Sequence, residues 1–259
     1  RGYQEAYGLW DDIRDEQYVD EEGISEEFSS EWEANAYLEQ LKNVGDSGYL
    51  CVPTANHDFQ RPNCGTRNDD AQLRTVSTFL MTIPGVPLFY YGDEIGMKFI
   101  DGLPSKEGSL LTKGNRAGSR TPMQWDGSEG AGFSTAGQDK YYLPIDDSSY
   151  RPNVETQMAN PSSLLHFNRR LLQLRKQYPA LGTRGGIRFL YAEANKYPLV
   201  YERTANGQRF IIVINPSGKA VKAECSFSGA AKEFKPVLVD RTSLKLVKDK
   251  LQINADGVS

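Results

Sequence analysis

The chain has 259 residues, 39% of them apolar, 11% aromatic and 25% charged, which suits one large globular domain or two medium ones. A net charge of −4 gives nucleic-acid binding no electrostatic support, and no apolar run approaches the ~18 residues of a membrane-spanning helix. Three cysteines, Cys51, Cys64 and Cys225, with no CxxC spacing, point to neither a disulfide framework nor a zinc site.

The first 28 residues are polar and acidic. Residues 11–33 carry eleven Asp or Glu against one Arg, a net of −10, which leaves the rest of the chain near +6. Such a run reads as a solvated face. The sequence starts at Arg1 and shows no signal peptide, so it reads as a processed or excised piece of something longer. Residues 29–42 predict a helix, with Ser29 or Ser30 as cap and Trp32, Ala36 (or Tyr37) and Leu41 on one face. Gly45 and Gly48 then break the chain. The short apolar run YLCVPT (49–54) predicts a strand buried on both faces, and it leads into Asn56-His57-Asp58. Residues 69–82 predict a second helix, capped by Asn68 or Asp69, with Leu73, Val76 and Leu80 at helical spacing. A second apolar strand, VPLFYYGDEIG (86–96), runs into Gly92-Asp93-Glu94. Strand, helix, strand in that order predicts a parallel βαβ unit.

Residues 97–160 are long, glycine-rich and irregular, yet contain Met123, Trp125 and Phe133, which argue for an ordered, functional loop. Residues 161–177 predict a helix with Asn160 as cap, Pro161 in the first turn, and a stripe of Leu164, Phe167, Leu171 and Leu174. From 185 the pattern turns to alternation. GIRFLYAEA, YPLVYERT, the Asn206-Gly207 turn, QRFIIVIN, KAVKAECSFS, FKPVLVD and LKLVKDKLQIN predict a small antiparallel β-sandwich.

Parallel strands place chemistry at their carboxyl ends. Strands roughly 5 Å apart set His57 or Asp58 opposite Asp93 or Glu94. Carboxylates beside an imidazole, rimmed by Tyr90, Tyr91, Trp125 and several arginines, suit a polyhydroxylated neutral substrate. Aromatic rings stack on sugar faces, while carboxylates and guanidinium groups hold hydroxyls by forked hydrogen bonds. The plainer reading of the same residues is a satisfied polar turn. His166, inside a helix, reads as structural.

Four segments together carry a resemblance. ANHDFQR resembles the N-H-D motif at barrel strand seven of the α-amylase family of retaining glycoside hydrolases. IPGVPLFYYGDEIGM resembles the family's G-x-P-x-x-Y-x-G-[DE]-E-x-G-M at strand eight. RTPMQWDGSEGAGFS is similar to the R-x-P-M-Q-W-D…A-G-F-S segment of its α-glucosidase and oligo-1,6-glucosidase branch. NPSSLLHFNRRLLQLRKQYPAL resembles its last barrel helix. The resemblance covers about 50–259.

The resemblance implies an α/β plus all-β fold: the carboxy-terminal portion of a (β/α)8 barrel, about its last two βα units, followed by a small antiparallel β-sandwich. The barrel part is expected over 1–182 and the sandwich over 183–259. By resemblance, Asp58 is the third catalytic carboxylate, which holds sugar hydroxyls and steadies an oxocarbenium-like transition state. His57 holds hydroxyls of the same glucose unit, Arg61 is a sugar-binding arginine, and Arg120 lies toward the aglycone side. The implied partner is an α-linked gluco-oligosaccharide, with no cofactor and no metal site. Retaining hydrolysis uses a nucleophile and an acid/base carboxyl about 5–5.5 Å apart, and the family carries these on strands four and five. Neither motif appears, and no apolar strand precedes residue 49. The expectation is a carboxy-terminal fragment, inactive alone, that pairs with a missing amino-terminal barrel half or self-associates through an unpaired strand edge. Three other readings compete. Asp58 with Glu94 or Asp93 forms a self-contained acid/base pair; the chain is a non-catalytic sugar-binding or interaction module; or it belongs to a transglycosylase or trehalose synthase of the same family.

Overall fold

The structure, a computed structural model, describes residues 30–65, 69–104, 116–193, 196–228, 234–239 and 242–256. Most of the acidic run, the Ser29 cap, the Trp32 side chain and the Asn68 cap lie outside the described residues. Helix α1 spans Ser30–Val44. It stops at Gly45, whose φ of 51° suits a glycine and whose N–H donates to the Leu41 carbonyl at 3.0 Å. None of the helices among the described residues is long and apolar enough to cross a membrane.

Strands β1 (Cys51–Pro53) and β2 (Val86–Leu88) form a two-stranded sheet. Val86 N–H donates to the Leu50 carbonyl and Thr54 N–H to the Leu88 carbonyl, at 2.7 and 2.8 Å. Residue numbers rise together along both strands, the parallel pattern the βαβ reading predicts. Burial on both faces does not hold. Val52 is buried, but Cys51 and Leu88 are exposed, because only two strands make this sheet among the described residues. The second strand is also shorter than 86–96. Gly92, at φ 87°, turns the chain into a 3-10 turn at Asp93–Ile95 that Gly96 closes at φ 74°.

Helix α2 (Asp70–Thr82) is capped by Asp69, whose Oδ1 accepts from Gln72 N–H at 2.8 Å. Leu73, Val76, Phe79 and Leu80 are its buried stripe. The long loop holds a short helix that periodicity does not predict, α3 (Val154–Ala159), capped by Asn153 Oδ1 accepting from Thr156 N–H at 2.9 Å. Helix α4 (Leu164–Gln177) starts three residues later than Pro161. Asn160 Oδ1 accepts from Ser162 N–H in a turn, and Ser163 Oγ takes the His166 N–H at 3.3 Å, which moves the cap to Ser163. Leu164, Phe167 and Leu171 are buried as the stripe predicts.

The chain divides into two compact units. One is Cys51–Leu80 with Pro87–Gln173; the other is Arg1–Leu50, Met81–Val86 and Leu174–Ser259. The second unit holds two antiparallel sheets. Strands β3 (Gly186–Tyr191), β4 (Leu199–Ala205) and β5 (Gln208–Ile214) run in the order β3-β4-β5. Strands β6 (Val221–Ser226), β7 (Thr242–Val247) and β8 (Lys250–Ala255) run β6-β8-β7. Asn206 and Gly207, at φ 49° and 76°, make the tight β4–β5 turn. LKLVKDKLQIN is a hairpin rather than one strand, turning at Lys248 with φ 56°. FKPVLVD forms no strand over its described residues 234–239, although Phe234 packs on the core. That core joins the sheets through Val200, Cys225, Phe227, Leu251, Ile253 and Ala255, the layering of a sandwich.

Candidate active site

The site is built where β1 ends. After Pro53 the chain buries Thr54 and Ala55, then turns outward at Asn56. Asn56 Oδ1 accepts the N–H groups of Asp58 and Phe59, at 2.7 and 3.1 Å. This side-chain turn projects His57 and Asp58 from the strand tip. His57 Nε2 lies 3.2 Å from Asp58 Oδ2. Two arginines meet the other oxygen: Arg116 Nη1 donates to Oδ1 at 2.7 Å and Arg120 Nη2 at 3.0 Å. Arg120 Nε also donates to the His57 carbonyl at 2.7 Å. The Arg116 hydrogen bond, helped by the charges of His57, Arg116 and Arg120, holds the Asp58 carboxyl below the usual carboxylate range. Asp58 still keeps 41% of its side chain exposed. The result is an anchored, ionised carboxylate facing solvent beside an imidazole, able to accept hydrogen bonds from hydroxyls.

The end of β2 builds something different. Gly92 has φ 87°, a conformation that strains any side chain, and a Cβ there would also crowd Met97. The turn drives Asp93 inward. Its Oδ1 accepts from Arg61 Nη1 at 2.7 Å and its Oδ2 from Thr54 Oγ1 at 2.6 Å. Arg61 Nη1 also donates to the Tyr91 carbonyl at 2.5 Å, and Nη2 to the Ser119 carbonyl at 2.9 Å. Its guanidinium carbon sits 4.9 and 4.8 Å from the Tyr90 and Tyr91 ring centres. Burial, stronger than the opposing Arg61 and Thr54, pushes the Asp93 carboxyl up to about 6.

The structure therefore brings Asp58, His57 and Arg120 together and sets Arg61 apart. With a side chain at 0% exposure, Arg61 does not occupy the place of a sugar-contacting arginine. Asp93 answers Arg61 rather than Asp58, and Glu94 uses its carbonyl to accept from Asn168 Nδ2 at 3.0 Å. Trp125 is half exposed. His166 Nε2 lies 3.1 Å from the Met158 carbonyl, a structural contact. Arg116 is the residue that sequence reasoning passed over. The available signal was its place four residues before Arg120, across the 3-10 turn Ala117–Ser119. Among the described residues no three His, Cys, Asp or Glu side chains gather as a metal-ligand set.

The family model for the alpha-amylase catalytic domain matches residues 18–184, more than half of the chain. The chain belongs to the alpha-amylase family. It is 39% identical to a trehalose synthase of Thermus thermophilus over 153 residues, which is 58% of this chain and 15% of that protein. It is 31% identical to an oligo-1,6-glucosidase of Parageobacillus thermoglucosidasius over 210 residues, 69% of this chain and 36% of that one. Among solved structures it is similar to the alpha-glucosyl transfer enzyme XgtA, with TM-score 0.71 and 25% identity, covering 89% of this chain and 43% of that one. The chain thus spans less than half the length of each of these relatives. Its fold is part of the family's (β/α)8-barrel fold.

Proposed function

We propose that this chain is the carboxy-terminal part of an enzyme acting on α-glucosidic bonds of starch-derived oligosaccharides. It would comprise about the last two βα units of the barrel and, over 183–259, the sandwich domain. One observation carries the reading: an ionised, half-exposed Asp58, fixed by Arg116 and Arg120 beside His57, at the carboxyl end of a parallel strand. In this role Asp58 and His57 accept and donate hydrogen bonds at the hydroxyls of one glucose unit. The Asp58 charge then opposes the positive charge that develops on the ring in the transition state. Arg120 orients Asp58 and borders the aglycone side. The nucleophile and acid/base carboxyls are not among the motifs of this chain, so the 259 residues alone bind sugar weakly and turn nothing over. Pairing with an amino-terminal barrel half, or self-association, covers the exposed Cys51 and Leu88 of the two-stranded sheet.

Calorimetry with maltose tests the binding. The parent should bind and Asp58→Asn should lose most of the heat; equal binding by both removes the proposal. Turnover of 4-nitrophenyl α-glucoside by the chain alone, abolished by Asp58→Asn, would overturn the inactivity. A second reading, synthesis of trehalose by transfer of a glucosyl unit, is favoured by the identity to trehalose synthases, 38–39% against 31% for the oligo-1,6-glucosidase. Products formed from maltose by a complex with an amino-terminal barrel half separate the two: glucose alone for the hydrolase, trehalose for the synthase.

A further inference from the structure

Arg61 is fully buried, and one of its donors reaches the Ser119 carbonyl in a buried turn. The turn 116–121 carries both arginines that hold Asp58. Within it, Arg120 N–H donates to the Ala117 carbonyl at 3.0 Å and Ser119 Oγ to the Arg116 carbonyl at 3.0 Å. A 3-10 turn of this length has little stability of its own. Besides the bonds to Asp58 and the His57 carbonyl, further contacts tie it to the rest of the unit. Arg61 Nη2 donates to the Ser119 carbonyl, Tyr91 Oη donates to the Thr121 carbonyl at 2.7 Å, and Ile100 N–H donates to the Gly118 carbonyl at 3.3 Å. Arg61 also grips the Tyr91 backbone carbonyl, so it stands behind both the Ser119 and the Tyr91 ties. Arg61 lies three residues after Asp58 in the same loop. The contacts form a closed ring: Asp58, its own loop to Arg61, the Ser119 carbonyl, the turn, then Arg116 and Arg120 back to Asp58. Asp93 neutralises Arg61 at the inner side of this ring.

From this geometry we propose that Arg61 is a positioning residue: with Asp93 as counter-ion it anchors the 116–121 turn, and the turn then sets Arg116 and Arg120 on the Asp58 carboxylate. A guanidinium is required because three acceptors must be met at fixed angles from one planar fork. An ammonium supplies the charge that Asp93 needs but cannot span the two carbonyls. Arg61→Lys therefore separates a plain ion-pair role from the anchoring role.

The test follows the Asp58 carboxyl by carbon NMR in the 259-residue chain labelled at aspartate, with Asp58→Asn assigning the signal. Among the described residues, His57, Arg116 and Arg120 are the charged or titratable groups that face it. In Arg61→Lys with parent near-UV circular dichroism, the Asp58 midpoint should rise toward an ordinary carboxylate. Arg116→Ala with Arg120→Ala should raise it directly, and adding Arg61→Lys to that pair should raise it little further. An unmoved midpoint in folded Arg61→Lys, or a full additional rise without the two arginines, overturns the proposal. Should Arg61→Lys not fold, Arg61→Met with Asp93→Leu decides, because it removes the anchor without leaving a buried charge unpaired. A raised Asp58 midpoint there supports the anchor; an unchanged one ends it. The proposal takes its meaning from Asp58 as the sugar-binding carboxylate, but the titration is read without sugar. Maltose binding can fail while the Asp58 shift stands, and the reverse.

Discussion

Arg61 and Arg203 are both buried almost completely, at 1% and 0% exposure, and each unit of the chain solves the burial differently. Around Arg61 the answer is a carboxylate, Asp93, with two carbonyls and two aromatic rings beside it. Around Arg203 all four acceptors are backbone carbonyls: Thr82, Gly182, Gly185 and Gly186. Arg175 repeats the pattern on Met81, Ile83 and Gly85. Met81 and Thr82 close helix α2, so their carbonyls form the negative end of its dipole, a place where cations are stabilised. Burial still pushes the Arg203 guanidinium down to about 10 and lowers Arg175 as well. A carboxylate can be removed together with its arginine. A carbonyl cannot. The first arrangement is therefore replaceable as a pair, and the second depends on the arginine alone.

The largest expected effect breaks the second arrangement. Arg203→Met strands four partly buried carbonyls and should cost about 5 kcal/mol, near the top of the range for buried ionic groups. Arg61→Met alone should cost about 4 kcal/mol by leaving buried Asp93 without its cation, whereas Arg61→Met with Asp93→Leu should fall back to about 2 kcal/mol. Urea unfolding of the three proteins measures all of this. If Arg203→Met loses no more than the Arg61/Asp93 double variant, the contrast between the two regions fails.

Next comes pH. Asp93 titrates at about 6 in the folded chain and at ~3.9 when unfolded, so the folded state favours its protonated form. The associated stability is present below pH ~4 and lost as pH rises through ~6, for a total of about 3 kcal/mol. Arg203 does not titrate in this window. The stability difference between parent and Asp93→Asn should therefore shift by about that amount between pH 4 and 7, while a variant in the Arg203 region should show a constant difference. Parallel curves for parent and Asp93→Asn would show that Asp93 does not gain protons on folding.

A third effect is smaller and tests the acceptor itself. Thr54 Oγ1 donates to an ionised carboxylate, so Thr54→Val should cost about 2 kcal/mol, in the range for hydrogen bonds to charged groups. It should also push the Asp93 carboxyl further up, because the Thr54 bond opposes the rise. A cost below about 0.5 kcal/mol, with the Asp93 midpoint unmoved, would mean the bond carries no charge assistance.

Much of this arrangement was legible in the sequence, for identifiable reasons. Helical spacing located α2 and α4 because Leu73, Val76, Leu164 and Phe167 each report a buried stripe. The Asn206-Gly207 pair located a turn because both residues tolerate positive φ. Asp58, His57 and Arg120 were legible as a set only through the ordered segments that carry the family resemblance. What escaped depends on direction rather than on residue type. Nothing in GDE says which carboxylate turns inward. That is decided by Gly92 at φ 87° and by the crowding of Met97 against it. Once Asp93 is inside, Arg61 follows it, and an arginine that reads as a surface ligand becomes buried. Arg116 went unseen because no periodic pattern covers a single 3-10 turn. The short helix α3 went unseen because six residues give too little periodicity to register against a glycine-rich background.

The smallest effect probes the neutral counterpart of the Thr54 bond. In the other unit, Thr82 Oγ1 and Tyr201 Oη share a buried hydrogen bond of 2.5 Å, with no ionised group at either end. Burial raises the Tyr201 hydroxyl well above its usual range, so it stays neutral throughout. Tyr201→Phe keeps the ring, its packing against Phe189 at 5.8 Å and the position of the Arg203 carbonyls, and removes only the hydroxyl. A neutral pair is worth about 1 kcal/mol net, half of the charged case, because unfolding returns both hydroxyls to water. The expected order is therefore Thr54→Val above Tyr201→Phe in lost stability, measured by urea midpoints at pH 7. Lowering the solution to pH 4 should narrow the gap, since Asp93 then carries a proton and Thr54 donates to a neutral acid. A gap that stays constant across that range would place the strength of the Thr54 bond in its geometry rather than in the charge of Asp93.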